Sequence, residues 1–176
     1  MKTIEIQLFK FNELSDNAKE KALKEYYDWN VNFDWWDSIY EDAKNVGITI
    51  TGFDIDRGKY CKIEFKYDAE SICQRILMEH GEGCETYKIA LKFLWDYCEL
   101  IKKYSDGIKI DVVTDDNYQD FDNEDIELNS ELHHELSEEY LSMLRKEYEY
   151  LTSEEAIAEA LEANEIEFTI EGEIYN

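Results

Sequence analysis

Apolar residues recur along this chain in two periods, and the switches between them outline its elements. Ile4, Ile6 and Leu8 alternate with Glu5 and Gln7, which predicts a half-buried strand over Thr3–Phe9. Ser15 is placed to cap a helix from Asp16 to about Trp29, with Ala18, Ala22, Leu23, Tyr26 and Tyr27 on one face and Leu14 just before the cap. Trp35, Trp36, Ile39, Tyr40, Ala43 and Val46 step by threes and fours, predicting a second helix over Asp34–Val46 that Gly47 ends in the left-handed conformation. The period then drops to two. Ile48 and Ile50 fall on even positions and Phe53 and Ile55 on odd ones, so Gly52 between them marks a bulge. Arg57-Gly58 turns the chain into a return strand whose inner face is Cys61, Ile63, Phe65 and Tyr67.

Helical spacing resumes over Ala69–His80, with Ile72, Cys73, Ile76 and Leu77 inward. Over Glu85–Tyr104 the apolar residues, among them Ile89, Phe93, Leu94, Trp95 and Ile101, lie nearly all round, which predicts a central helix contacted on several sides. Residues 106–128 lose periodicity and allow at most a short strand at Ile108–Val113. Leu132, Leu136, Tyr140, Leu144 and Tyr148 then predict a helix from Ser130 to about Leu151, and Thr152 or Ser153 caps another short one. In the closing EIEFTIEGEIY, Ile166, Phe168, Ile170 and Ile174 oppose Glu165, Glu167, Thr169, Glu171 and Glu173, the pattern of a strand. The order of pieces predicts an α+β fold, with a mainly antiparallel sheet of about four strands packed against several helices, in a single domain over residues 1–176.

Composition changes this picture in one respect, through charge. The chain is 44% hydrophobic, enough to build a core, and has no apolar run long enough to span a membrane. Its first residues alternate where a signal peptide would be continuously apolar, so the expected location is the cytoplasm. The formal net charge is −25. Residues 1–105 carry 20 acids and 15 bases, whereas residues 106–176 carry 23 acids against Lys109, Arg145 and Lys146. The domain therefore reads as a near-neutral α+β core over 1–105 and a strongly acidic helical part with a closing strand over 106–176. Concentrated like charge costs stability by self-repulsion, and solubility alone does not require concentrating it.

The candidate chemistry is sparse. Asp34, Asp37, Glu41 and Asn45 share one outer helical face and read as a solvated stripe, and Asp54 and Asp56 read as outward strand residues. The cysteines at 61, 73, 84 and 98 form no CxxC or CxxH pair and read mainly as reduced core thiols; His80 with Cys84 supplies only two ligands. Residues 116–127 end on the Glu127 that a calcium loop needs, but Tyr118 and Phe121 stand where a ligand and a turn glycine are required. His133-His134 has no nucleophile beside it in sequence, and no P-loop, GxGxxG, GxSxG or HExxH occurs. The expectation is a protein that is not an enzyme, with no catalytic residue, no metal and no cofactor.

A chain of this charge repels nucleic acid, so direct binding to it is not expected, but the same physics suits a surface that replaces nucleic acid in a basic groove. The candidate residues are the cluster Asp115, Asp116, Asp120, Asp122, Glu124, Asp125 and Glu127; the helical row Glu131, Glu135, Glu138 and Glu139; and Glu165, Glu167, Glu171 and Glu173 on the closing strand, about 6.6 Å apart where consecutive. Two segments, DWWDSIYEDAKNVGITITGFDIDRGKYC and YLTSEEAIAEALEANEIEFTIEGEIY, resemble parts of a family of small acidic phage and prophage proteins, some of which carry antitoxin-like labels. The resemblance spans under a third of the chain and implies an accessory phage product, for which counter-defence is a common role; it transfers no catalytic residue. In its acidity the chain also resembles anti-CRISPR and antirestriction proteins that mimic DNA. The implied partner is a basic nucleic-acid-binding protein, such as a CRISPR effector nuclease or a restriction enzyme, in the cytoplasm of an infected bacterium. The alternative is a non-enzymatic antitoxin or adaptor that binds one protein partner through apolar contacts.

Overall fold

In a computed structural model of the chain, residues 6–105 and 115–175 are described, apart from the side chains of 105 and 115–118. The strand expected at Ile108–Val113 and the start of the one expected at Thr3–Phe9 lie outside them. The described elements are β1 (Phe9–Lys10), α1 (Asp16–Glu25), α2 (Asp37–Asn45), β2 (Ile48–Asp54), β3 (Tyr60–Phe65), α3 (Ala69–Glu79), α4 (Glu85–Ser105), α5 (Asp115–Leu151), α6 (Glu154–Ala163) and β4 (Glu167–Phe168), with short 3-10 turns at Phe11–Glu13 and Trp29–Val31. The fold is α+β, and helix dominates it. The four strands do not share a sheet as expected: β1 pairs only with β4, and β2 only with β3, each antiparallel.

Contacts divide the chain into two compact units, with borders unlike the charge border at 105/106. A terminal unit comprises Met1–Trp36 and Arg145–Asn176, and a central unit comprises Asp37–Leu144. In the terminal unit, Ser15 caps α1 by accepting from the Ala18 N–H. The core there gathers Phe11, Leu14, Ala18, Ala22, Ile157, Leu161 and Phe168. Asn30 fastens the 3-10 turn to the α5–α6 junction, its Nδ2 donating to the carbonyls of Leu151 at 3.0 Å and Ala156 at 3.2 Å.

The closing segment departs from its expected straight strand. Only Glu167 and Phe168 form strand, Gly172 N–H donates back to Thr169 O, and Ile174 bridges Phe168 across the fold-back. Gly172 has φ +82°, and a Cβ there would lie 2.3 Å from the Ala18 carbonyl oxygen, so the reversal needs glycine. Ile170, expected inside, is left 73% exposed at the tip.

The central unit follows the pattern more closely. Gly47 ends α2 at φ +89°, and the β2–β3 register slips between Ile50 and Gly52, as the parity change required. The hairpin loop is organised by Asp54, whose carboxylate accepts from the N–H groups of Asp56, Arg57 and Gly58. Those bonds, the Gly58 one foremost, hold its carboxyl below the usual range, so this outward acid at the end of β2 also has a structural role in the loop. The left-handed residue of the loop is Lys59, at φ +49°, not Gly58. Asp68 caps α3 by accepting from Ser71 N–H, and α3 packs on α4.

α5 begins 15 residues earlier than expected. It covers the free edge of β3: His133 Nε2 donates to Ile63 O at 2.9 Å, and Ser137 Oγ donates to Cys61 O. Four helical residues rise about 6 Å and two strand residues about 6.6 Å, so side chains at i and i+4 of a helix match alternate carbonyls of an edge strand. The histidine that lacked a partner in sequence thus has one in the fold. Leu132, Leu136, Tyr140, Leu141 and Leu144 form the buried seam of α5.

Candidate partner-binding surface

The apolar seam of α5 faces inward and fixes which of its acids face out. Asp120, Glu124, Glu127, Glu131, Glu135 and Glu138 follow one another at steps of three and four, so they line one stripe about 27 Å long. Asp122 lies off that stripe and is exposed; Asp125 and Glu139 lie off it and are half-buried. Asp125 accepts from Asn129 Nδ2 at 3.0 Å. Asp115 and Asp116 open the helix, where acids favour the positive end of its dipole, and their side chains are outside the described set.

Between α4 and α5 lies an open groove of about 700 Å³ lined by Asp96, Glu99, Leu100 and Lys103 of α4 and Glu124, Glu127, Leu128 and Glu131 of α5. Five carboxylates surround one ammonium over a leucine floor. Lysines of α4 restrain part of the row. Lys103 Nζ reaches Glu124 at 2.6 Å, with Tyr104 Oη donating to the same carboxylate at 2.9 Å. Lys92 Nζ bridges Glu131 at 2.8 Å and Glu135 at 2.7 Å. The Lys103 bond, then the Tyr104 bond, hold the Glu124 carboxyl below its usual range, and the two glutamates push the Lys92 ammonium well up. These are exposed pairs, worth little as stability, but they cancel charge locally.

The four acids of the closing segment belong to the terminal unit, and its fold-back keeps them off a single straight row. Glu165 pairs with Lys10 at 3.6 Å, Glu173 pairs with Lys21 at 2.8 Å, Glu167 stands opposite Lys10 in the strand register, and Glu171 is in the turn. By unit the charge is even: 17 acids and 7 bases in the terminal unit, 26 and 11 in the central one. The steep gradient along the sequence is therefore dispersed by the fold, because lysines from the first part of the chain meet acids from the second.

Sequence reasoning missed Asp96 and Glu99, which sit among lysines in a stretch of balanced charge. It also missed a polar network in the central unit. His80 Nδ1 lies 2.7 Å from Thr86 Oγ1, His80 Nε2 lies 3.4 Å from Asp42 Oδ1, and Tyr140 Oη donates to Asp42 Oδ2 at 3.3 Å. The order hydroxyl, imidazole, carboxylate is that of a nucleophilic triad, but Thr86 is only 3% exposed. Burial, then the Asp42 charge, push the Tyr140 phenol far up. This network holds α2, the α3–α4 connection and α5 together.

Cys61 and Cys73 are buried thiols pushed up to about 11 and about 12, while Cys84 and Cys98, against expectation for a core set, are exposed. Residues 116–127 are helix, not a calcium loop, and among the described residues no three His, Cys, Asp or Glu side chains converge to hold a metal ion. No described helix is long and apolar enough to cross a membrane. No family model, no curated protein and no solved structure matches this chain, so its function has to be read from the surface itself.

Proposed function

We propose that the chain is a phage-type counter-defence inhibitor, acting without turnover in the cytoplasm of an infected bacterium. It occupies the nucleic-acid groove of a basic host nuclease, a CRISPR effector or a restriction enzyme, with the acidic face of α5. The observation that carries this reading is the six-carboxylate stripe bordering the α4–α5 groove. Such a surface speeds encounter with a basic partner and loses that advantage as salt rises. The test is cleavage by a panel of such nucleases with the protein added. Inhibition that weakens with salt, is relieved by excess DNA or guide RNA, and is lost when Asp120, Glu127 and Glu138 are reversed to Lys is the expected result. Inhibition indifferent to salt and to those reversals would sink it. A second reading, an antitoxin or adaptor gripping one partner by apolar contact, is favoured by a different observation, the exposed apolar side chains of α4.

A further inference from the structure

Charge along α5 is too thin to hold a nucleic-acid groove unaided. Over the roughly 27 Å of its stripe a duplex carries about 16 phosphates. The stripe has six carboxylates, of which two lysines answer three, and across the groove stand two more, Asp96 and Glu99, the second of them answered by Lys102 at 2.7 Å. A partner built for phosphates is left with much of its own charge unmatched, so a second source of affinity is needed.

α4 supplies one. Expected at the centre of the fold, this helix instead leaves Trp95 69% exposed, Leu91 51% and Ile101 40%, with Cys98 exposed between them. Leu91, Trp95 and Cys98 succeed one another at steps of four and three, so they form one stripe about 10 Å long. Single exposed apolar residues are ordinary; a stripe with a tryptophan at its middle marks a contact surface, because an indole contributes more than any other side chain when it fills a partner's pocket. The stripe adjoins the acidic groove: Asp96 follows Trp95 in sequence, and Glu99 is one turn on, and both line that groove.

The neighbourhood selects the occupant. An acidic partner would be repelled by the groove carboxylates beside Trp95. A second copy, itself at −25, is opposed by charge, and a stripe this short falls well below the roughly 800 Å² per partner of a stable dimer. We infer that Trp95, with Leu91 beside it, is the anchor of the contact surface, entering an apolar cleft on the basic partner while the α4–α5 carboxylates meet the lysines and arginines around that cleft. This inference rests on the acidic-surface reading above and makes the interface bipartite, with carboxylates that steer and an indole that holds.

The test uses two synthetic peptides of equal length and charge, one of Lys and Leu patterned as an amphipathic helix and one of Lys and Ser. Titrated against the full chain, the Lys/Leu peptide binds about tenfold more tightly, which corresponds to about 1.4 kcal/mol. Trp95→Ala abolishes that preference and leaves the Lys/Ser affinity unchanged, whereas Glu127→Gln weakens both peptides alike. Circular dichroism of each variant checks that the fold is intact. Equal binding of the two peptides by the wild type, or a preference that survives Trp95→Ala, overturns the anchor alone. A Lys/Ser peptide that does not bind overturns the acidic-surface reading on which the anchor rests. A concentration-dependent dimer that Trp95→Ala turns into a monomer assigns the stripe to a second copy and overturns the inference.

Discussion

Two neighbouring helices, α4 and α5, divide opposite liabilities between them. α4 has four lysines and three acids and more apolar surface than it can bury; α5 has thirteen acids and two bases and gathers its buried apolar residues, Leu132 to Leu144, in one seam. Each helix partly corrects the other. Lys92 and Lys103 of α4 reach carboxylates of α5, and α5 shields one side of α4 through Phe121 against Tyr104, their ring centroids 5.5 Å apart. The two helices teach that apolar contact and charge do separate jobs here: the seam fixes where α5 lies, and the ion pairs set how much of its charge is presented.

The comparison breaks most readily at the seam. Leu136→Ala, at a fully buried position, is expected to cost about 2–5 kcal/mol in chemical denaturation, whereas removing any α5 acid costs far less. If acid removal matched it, the apolar seam would not be what positions α5. Next in size is the network beneath it. Tyr140→Phe takes one donor from Asp42 and should cost about 1–2 kcal/mol with the fold retained. A smaller stability effect accompanies Lys92→Met, under about 1 kcal/mol, since its pairs are exposed. Yet it bares two carboxylates, so association with a basic peptide should become faster and more salt-sensitive; unchanged kinetics would mean that α4 does not meter the charge of α5.

Smallest is a titration. Glu124 is held below its usual 4.5, so its pairing favours the fold above the unfolded carboxyl's titration and is lost as pH falls through Glu124's own. Lys103→Met should raise that midpoint by NMR; a midpoint that stays put would remove Lys103 as its principal cause.

Local rules carried most of the central unit. The Gly47 stop, the bulge at Gly52 and the span of α3 and α4 follow from backbone freedom and periodicity within a few residues. The first half of α5 did not, because between Asp115 and Leu128 helical spacing rests on Tyr118, Phe121 and Leu128, with Ile126 pointing outward, and its support comes from residues 20 or more positions away. The closing fold-back was hidden for a similar reason: its alternation is genuine, but the space around Gly172 is set by the backbone of α1. Of the candidate surface, the α5 acids were legible from spacing. Asp96, Glu99 and the lysines that temper the row were not, since a neutral average conceals which way each charge faces.

The covering of β3 by α5 has a consequence in time. Ile63 is made long before the serine and histidine that close its edge, and some 72 residues separate Phe65 from Ser137. At synthesis rates of about 5–20 residues per second, the hairpin waits roughly 4–14 s with one strand open to any passing β-edge. The nascent chain crosses that interval without its most acidic helix, which arrives as both the lid of the hairpin and the end of its exposure.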